Sequence, residues 1–434
     1  MKSVLLLSLL FIAFLMNLQA QTPAQLAEIW DKDHVTNILP SNVRHKDLQK
    51  YLDGLKKRGI KVGEVGRSFG GREIYQIEWG KGSLKIFLWS QMHGDEPTAT
   101  SALIDLFTTL DNRSEKSWVK TLEKMVTIRA VPMVNPDGAE VYIRRNLQGI
   151  DINRDALDLK TPEARLLKSL RDEWSPHIGF NLHNQNPLTT VGATDKQAAI
   201  SLLVVYADAQ KTTSEGHERS KRLASAMAAA LNQFIPGHIG RYSDEFTATA
   251  FGDNFSAWGT PVILIETGGL HGRDEMFLVK LNFIAILTAL KSLADGSEKA
   301  FSPLSYELLP ANTSGRLVSI VFRNAGVMTD GSKAETVDIG LIRERRREEY
   351  SAPSTIRHVG SLTAVTGLEE YEASGFHIVG RFQPIKPGNM GELLFYKKNR
   401  EIDWTSTALE KSVPPDAVFS VGKWVKGEGI VPRK

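Results

Sequence analysis

Apolar and polar positions along this chain follow two alternating periods, and the switches between them outline the architecture. Leu48, Tyr51, Leu52 and Leu55 keep helical spacing, where the body of the chain begins. VGEVGRSFGGREIYQIEWG, over 62–80, predicts two strands around a Gly70-Gly71 turn, and LKIFLWSQ, over 84–91, predicts a buried strand. Helical spacing returns at Leu103, Leu106, Phe107 and Leu110 behind Pro97. The same strand-then-helix unit recurs: MVTIRAVPMV runs into Asn135-Pro136-Asp137-Gly138, HIGFNL into His183, and PVILI into Glu266, with a helical stripe through Leu223, Met227, Ala230, Leu231 and Phe234. Such alternation predicts an α/β domain, a mixed and mostly parallel sheet with helices on both faces, whose sites form beyond the carboxyl ends of strands. From 316 the pattern changes to short β-type runs, LVSIVFRNAGVMTDG, AETVDIGLI, GFHIVGRF and GELLFYKK, separated by turn signals. The expected organisation is an N-terminal segment at 21–45, an α/β domain at 46–297, a Pro/Ser/Gly-rich linker at 298–315 and a small accessory β domain at 316–434, with a sandwich as its form.

Composition changes this picture little. An apolar share of 42% and a charged share of 24% are those of a soluble globular protein, and a net charge of +3 over 434 residues is too small for a nucleic-acid partner. Lys2 precedes an apolar run from Val4 to Met16, which predicts a signal peptide cut after Ala20, hence an exported protein, periplasmic or secreted, with no membrane anchor after cleavage. The absence of cysteine excludes disulfides and cysteine-linked lipid. The run RERRREE at 343–349 is read as a solvated segment.

Chemistry collects at the strand ends. His93 and Glu96 in QMHGDE, with His183 in FNLHNQ, supply two imidazoles and one carboxylate, the three ligands an open hydrolytic zinc site uses. One Zn2+ per chain is therefore expected. Zinc would lower the pKa of bound water to about 7, and Glu266, on the apolar strand PVILI, is the candidate base that takes its proton. Asn153 and Arg154 in GIDINR suit a substrate carboxylate, because a guanidinium fork matches its geometry. Arg144 and Arg145 are placed to stabilise an oxyanion, and Asp151 to accept from the far side of a metal-bound imidazole. Asp253, after Gly252, reads as a turn residue.

These residues resemble the zinc carboxypeptidases of the carboxypeptidase A type. VGRSFGGREIYQIEWG, HGDE, NPDG, RRN, GIDINR, the later His and the late Glu follow one another in that family's order, over roughly residues 46 to 295. The resemblance implies His93, Glu96 and His183 on zinc, Arg144 at the oxyanion, Asn153 and Arg154 on the terminal carboxylate, Asp151 behind a ligand, and Glu266 as base. It also implies a tyrosine some twenty residues before the base; Tyr242 is near that place but out of register. The implied activity is removal of C-terminal amino acids from peptides by zinc-bound water. The same site would serve a cell-wall peptide amidase acting on peptidoglycan-derived peptides, or an N-acyl amino acid deacylase. A binding relative without catalysis would be expected to lose a ligand or the base, and none is lost here.

Overall fold

The computed structural model describes residues 21–434 apart from 329–332, 345, 346, 348–351, 405, 407, 408, 428, 429 and 434. The expected signal peptide at 1–20 lies outside the described residues. The chain divides into two compact units, one formed by residues up to 185 with 198–312, the other by 186–197 with 313–434.

The strands Leu84–Ser90, Ile178–Asn184 and Val262–Thr267 are almost wholly buried, as near-continuous apolar runs covered on both faces must be. They lie side by side in an eight-stranded sheet ordered Lys61–Arg67, Glu73–Gly80, Val126–Val131, Leu84–Ser90, Ile178–Asn184, Val262–Thr267, Ile200–Val204, Ile239–Arg241. The four central strands run parallel. Antiparallel pairs flank them, which makes the sheet mixed. One face is covered by Thr98–Asn112, Glu215–Leu231 and Glu275–Asp295. The last is apolar and long enough to span a membrane, yet most of its residues are buried in this core. The other face packs Phe87, Trp89, Leu264 and Val262 against Phe251, Phe255 and Trp174.

Two boundaries differ from expectation. The segment 21–45 joins the α/β unit: Thr22 caps the Pro23–Asp33 helix, and Leu26, Ile29 and Trp30 are buried in the core, with Trp30 Nε1 donating to Asp105 at 3.0 Å. The stretch 298–312 is no linker, since Ser225 Oγ donates to Ser302 O (2.8 Å) and Val204 N–H to the buried Tyr306 hydroxyl (2.9 Å). Ser302 caps and Pro303 opens one short helix there, and one tyrosine supplies the anchor that composition conceals.

In the second unit, one nine-stranded sheet surrounds an aromatic core of Phe322, Phe376, Phe395 and Phe419. The charged run departs from expectation where it is described: Arg343 forks onto Glu369 at 2.5 and 3.2 Å, and Arg347 is 3% exposed.

Candidate metal centre

The site forms where parallel strands end. Leu84–Ser90 stops at Gln91, whose left-handed backbone (φ 51°) turns the chain out of the sheet into His93-Gly94-Asp95-Glu96. Packing requires glycine at 94, because a Cβ there would stand 2.0 Å from the carbonyl carbon of Gly138. Gly138 belongs to the Pro136–Val141 helix, capped by Asn135, whose Oδ1 accepts from Gly138 N–H at 2.8 Å while its Nδ2 donates to Met92 O at 3.2 Å. Asp137 closes the knot, accepting from Gly70 N–H (2.7 Å) and Arg72 Nη1 (2.6 Å). The NPDG and FGGR motifs thus hold the turn that carries His93 and Glu96.

His183 and Glu266 are register partners on adjacent parallel strands, so their backbones sit about 5 Å apart and both side chains leave the same face. Glu96 is the hub. Its Oε1 lies 2.8 Å from His93 Nδ1, and its Oε2 accepts from His183 Nδ1 at 2.7 Å and from Asn184 N–H at 3.1 Å. Asp151 Oδ1 accepts from His93 Nε2 at 3.0 Å and from Asn153 N–H at 2.9 Å, and its Oδ2 accepts from Arg144 Nε at 3.0 Å. A carboxylate behind His93 Nε2 directs Nδ1 into the site, as ligation needs.

Charge here is unbalanced. Burial opposes ionisation of Glu96, yet the two imidazoles hold its carboxyl well below the usual range. Burial also opposes protonation of His93, but Glu96 and Asp151 push its pKa up to about 9. His183, fully buried, is lowered by that burial despite Glu96. Glu266 has no ion pair and is raised well above the carboxylate range by burial and then by the charge of Glu96. A ring facing two carboxylates favours any cation beside it.

His93, Glu96 and His183 each offer one ligand atom, all within 4.8 Å of one another. Glu266 Oε2 and His183 Nε2 are buried without a hydrogen-bond partner. Two imidazoles and a carboxylate are the N/O donors that suit zinc, with a coordination position to spare, so the residues present fit the metal.

Arg144 faces the triad, its Nη1 3.2 Å from Glu96 Oε1 and 3.1 Å from His93 Nδ1. Arg145 does not, for its Nη1 donates to Gly149 O at 3.0 Å on an exposed loop. Asn153 Oδ1 accepts from Phe251 N–H at 2.9 Å, which leaves its amide NH2 as the group on offer, and Arg154 Nη1 donates to Asn153 O at 2.7 Å. Tyr242 follows the Ile239–Arg241 strand and packs, half-buried, against the cluster that holds Phe251 and Phe255, and its hydroxyl is pushed up to about 12 by the charge of Glu266, by burial and by Glu96. Asp253 is in the first turn of the Phe251–Ala257 helix rather than in a loop turn. Asn181, two residues before His183 and therefore on the same strand face, has no role in the sequence reading. The one signal was a polar residue in step with His183 inside an apolar run.

Residues 48–256 match a family model described as zinc carboxypeptidase. Carboxypeptidase 2 of Trichophyton rubrum is 31% identical over 100 residues, 23% of this chain and 18% of that protein. Carboxypeptidase SOL1 of Arabidopsis thaliana is 28% identical over 147 residues, 29% of this chain and 30% of its own. The matches thus span under a third of these relatives' lengths. Among solved structures, a metallo-carboxypeptidase from Burkholderia cenocepacia is similar with a TM-score of 0.47 at 16% identity, covering 58% of this chain and 69% of that one. A metallo-carboxypeptidase from Pseudomonas aeruginosa, in complex with (2-guanidinoethylmercapto)succinic acid, gives 0.47 at 18% identity over 58% and 68%.

Proposed function

The chain carries a zinc carboxypeptidase domain over residues 48–256, and from that premise we propose that it is an exported exopeptidase that releases C-terminal amino acids from peptides. The observation that carries this reading is the convergence of His93 and His183 Nδ1 on Glu96, at 2.8 and 2.7 Å, beside the unpaired buried carboxyl of Glu266. Zinc held by His93, Glu96 and His183 would supply the Lewis acidity that acidifies water and polarises a carbonyl.

The chain's own groups do the rest. Arg154 and the Asn153 amide bind the free terminal carboxylate, which sets the last peptide bond at the reacting position. Glu266 takes a proton from the attacking water on a carboxylate oxygen; burial and the charge of Glu96 raise its affinity for that proton, and the charges of His93 and Arg144 offset part of the rise. Arg144 donates to the oxygen that becomes negative as water adds to the carbonyl carbon. When the C–N bond breaks, Glu266 passes its proton to the departing amine. Tyr242 supplies a hydroxyl donor at the rim. Export rests on the Lys2-to-Ala20 segment.

The test is Glu266→Gln with metal content measured alongside. Zinc should stay bound at one per chain while kcat/KM on a peptide falls by about 10²–10⁴. Turnover close to that of the unaltered protein would remove Glu266 from the base role.

A further inference from the structure

Register partners define rows across the sheet face that bears the site. One row runs His183, Glu266, Ser201. The row two residues earlier runs Val131, Trp89, Asn181, Leu264, Leu203. At about 3.3 Å per residue it lies about 7 Å below the first. All of its members but Asn181 are apolar and belong to one core cluster. Asn181 is 1% exposed, and neither its Oδ1 nor its Nδ2 has a hydrogen-bond partner. An unpaired buried amide is destabilising, and a leucine would continue the row without that cost.

The whole row is buried, though more tightly at one end than at the other. Trp89 and its neighbour Phe255 are 0% exposed, whereas Leu264 and Leu203 keep 8% each. The Phe251–Ala257 helix meets the row at Gly252, where a Cβ would come 3.3 Å from Asn181 Nδ2. The same helix is tied to the carboxylate clamp through Phe251 N–H and Asn153. Asp253 adds a second polar group beside Gly252, its carboxyl pushed up to about 6 by burial. The helix therefore links the clamp to a buried amide whose neighbours along the row are leucines. That suits a side chain with an apolar stem and a hydrogen-bonding tip.

We propose that Asn181 is the floor of the pocket for the substrate's terminal side chain, and that it selects residues tipped by an amide or a cation over purely apolar ones. This rests on the exopeptidase reading above and names its substrate class. A site built to hydrogen-bond a tip leaves its own polar atoms unpaired when the tip is absent, so it discriminates strongly.

The test uses zinc-loaded full-length protein and peptides identical except for a terminal Gln, Lys, Leu or Phe, with kcat and KM determined separately. Gln and Lys should exceed Leu and Phe by at least about tenfold in kcat/KM. Asn181→Leu should reverse that order, mainly through KM, and Asn181→Ser should reduce the preference with less change in volume. If the leucine variant does not fold, the serine variant carries the comparison. Equal Gln-to-Leu ratios in the unaltered protein and the variants would overturn the assignment while leaving the exopeptidase reading intact, as would an initial preference for Leu or Phe. Release of no terminal residue from any of the peptides would overturn both.

Discussion

Asp151 touches neither metal nor substrate in the proposed mechanism, yet it arranges three groups that do. It accepts from His93 Nε2 at 3.0 Å, from Asn153 N–H at 2.9 Å and from Arg144 Nε at 3.0 Å. Although burial opposes its charge, His93 and Arg144 hold its carboxyl well below the usual range, so it is an anion at any working pH. Asp151→Asn keeps the size but replaces one acceptor oxygen by a donor. If the remaining oxygen stays with His93 and Asn153, the new NH2 opposes Arg144 Nε, and flipping the amide moves the conflict to His93 and Asn153 N–H. Either way one charge-assisted bond is lost, worth about 1.5–3 kcal/mol, and the side chain is only 11% exposed, so solvent does little to soften the loss. Zinc affinity and kcat/KM should each fall about 10–100-fold, the usual effect of removing a partner behind a metal ligand. The assay is zinc competition against a chromophoric chelator, paired with peptide hydrolysis at saturating metal. Values within about twofold of the unaltered protein in both would show that Asp151 does not orient the site.

Other outcomes follow from the same geometry. Gly94→Ala, whose Cβ would lie 2.0 Å from Gly138, should displace the turn bearing His93 and Glu96, and a protein that still binds one zinc with unchanged affinity would contradict this. Arg144→Ala should lower kcat by about 10²–10³, whereas Arg145→Ala, whose guanidinium is engaged with Gly149 O, should change it less than about threefold; equal losses would refute the division of roles. Asp253→Asn should be stabilising at pH 7. Its carboxyl is raised from 3.8 to about 6 in the folded state, so its contribution is fully present below the unfolded value and is lost as pH rises through about 6. Asparagine can still accept from Thr247 N–H, as Asp253 does at 2.9 Å. Urea melts should show a gain of about 1–2 kcal/mol at pH 7, after allowance for partial exposure, that vanishes near pH 4; no pH dependence in the difference would refute it.

Much of the architecture was legible because it rests on periodicity. Continuous apolar runs at 84–90, 178–182 and 262–265 could only be buried strands, and the residues after them could only lie at the sheet's carboxyl edge. Local composition misled where one residue did the anchoring. The stretch 298–312 read as a linker, but Tyr306 fixes it to Val204. The segment 21–45 read as separate from the α/β domain, but Trp30 and Thr36 meet the buried Asp105.

The sequence by itself determined the donor chemistry: two imidazoles, a ligand carboxylate, a guanidinium pair and a late glutamate, each placed by the end of a strand or the start of a turn. Side-chain type and local period are properties of neighbouring residues, so they can be read in one dimension. Only the tertiary structure decided which of these groups share charge. The parallel register that sets His183 beside Glu266, the Asp151 carboxylate that joins three loop groups, and the unpaired Asn181 one row deeper all depend on strands distant in the chain becoming neighbours about 5 Å apart.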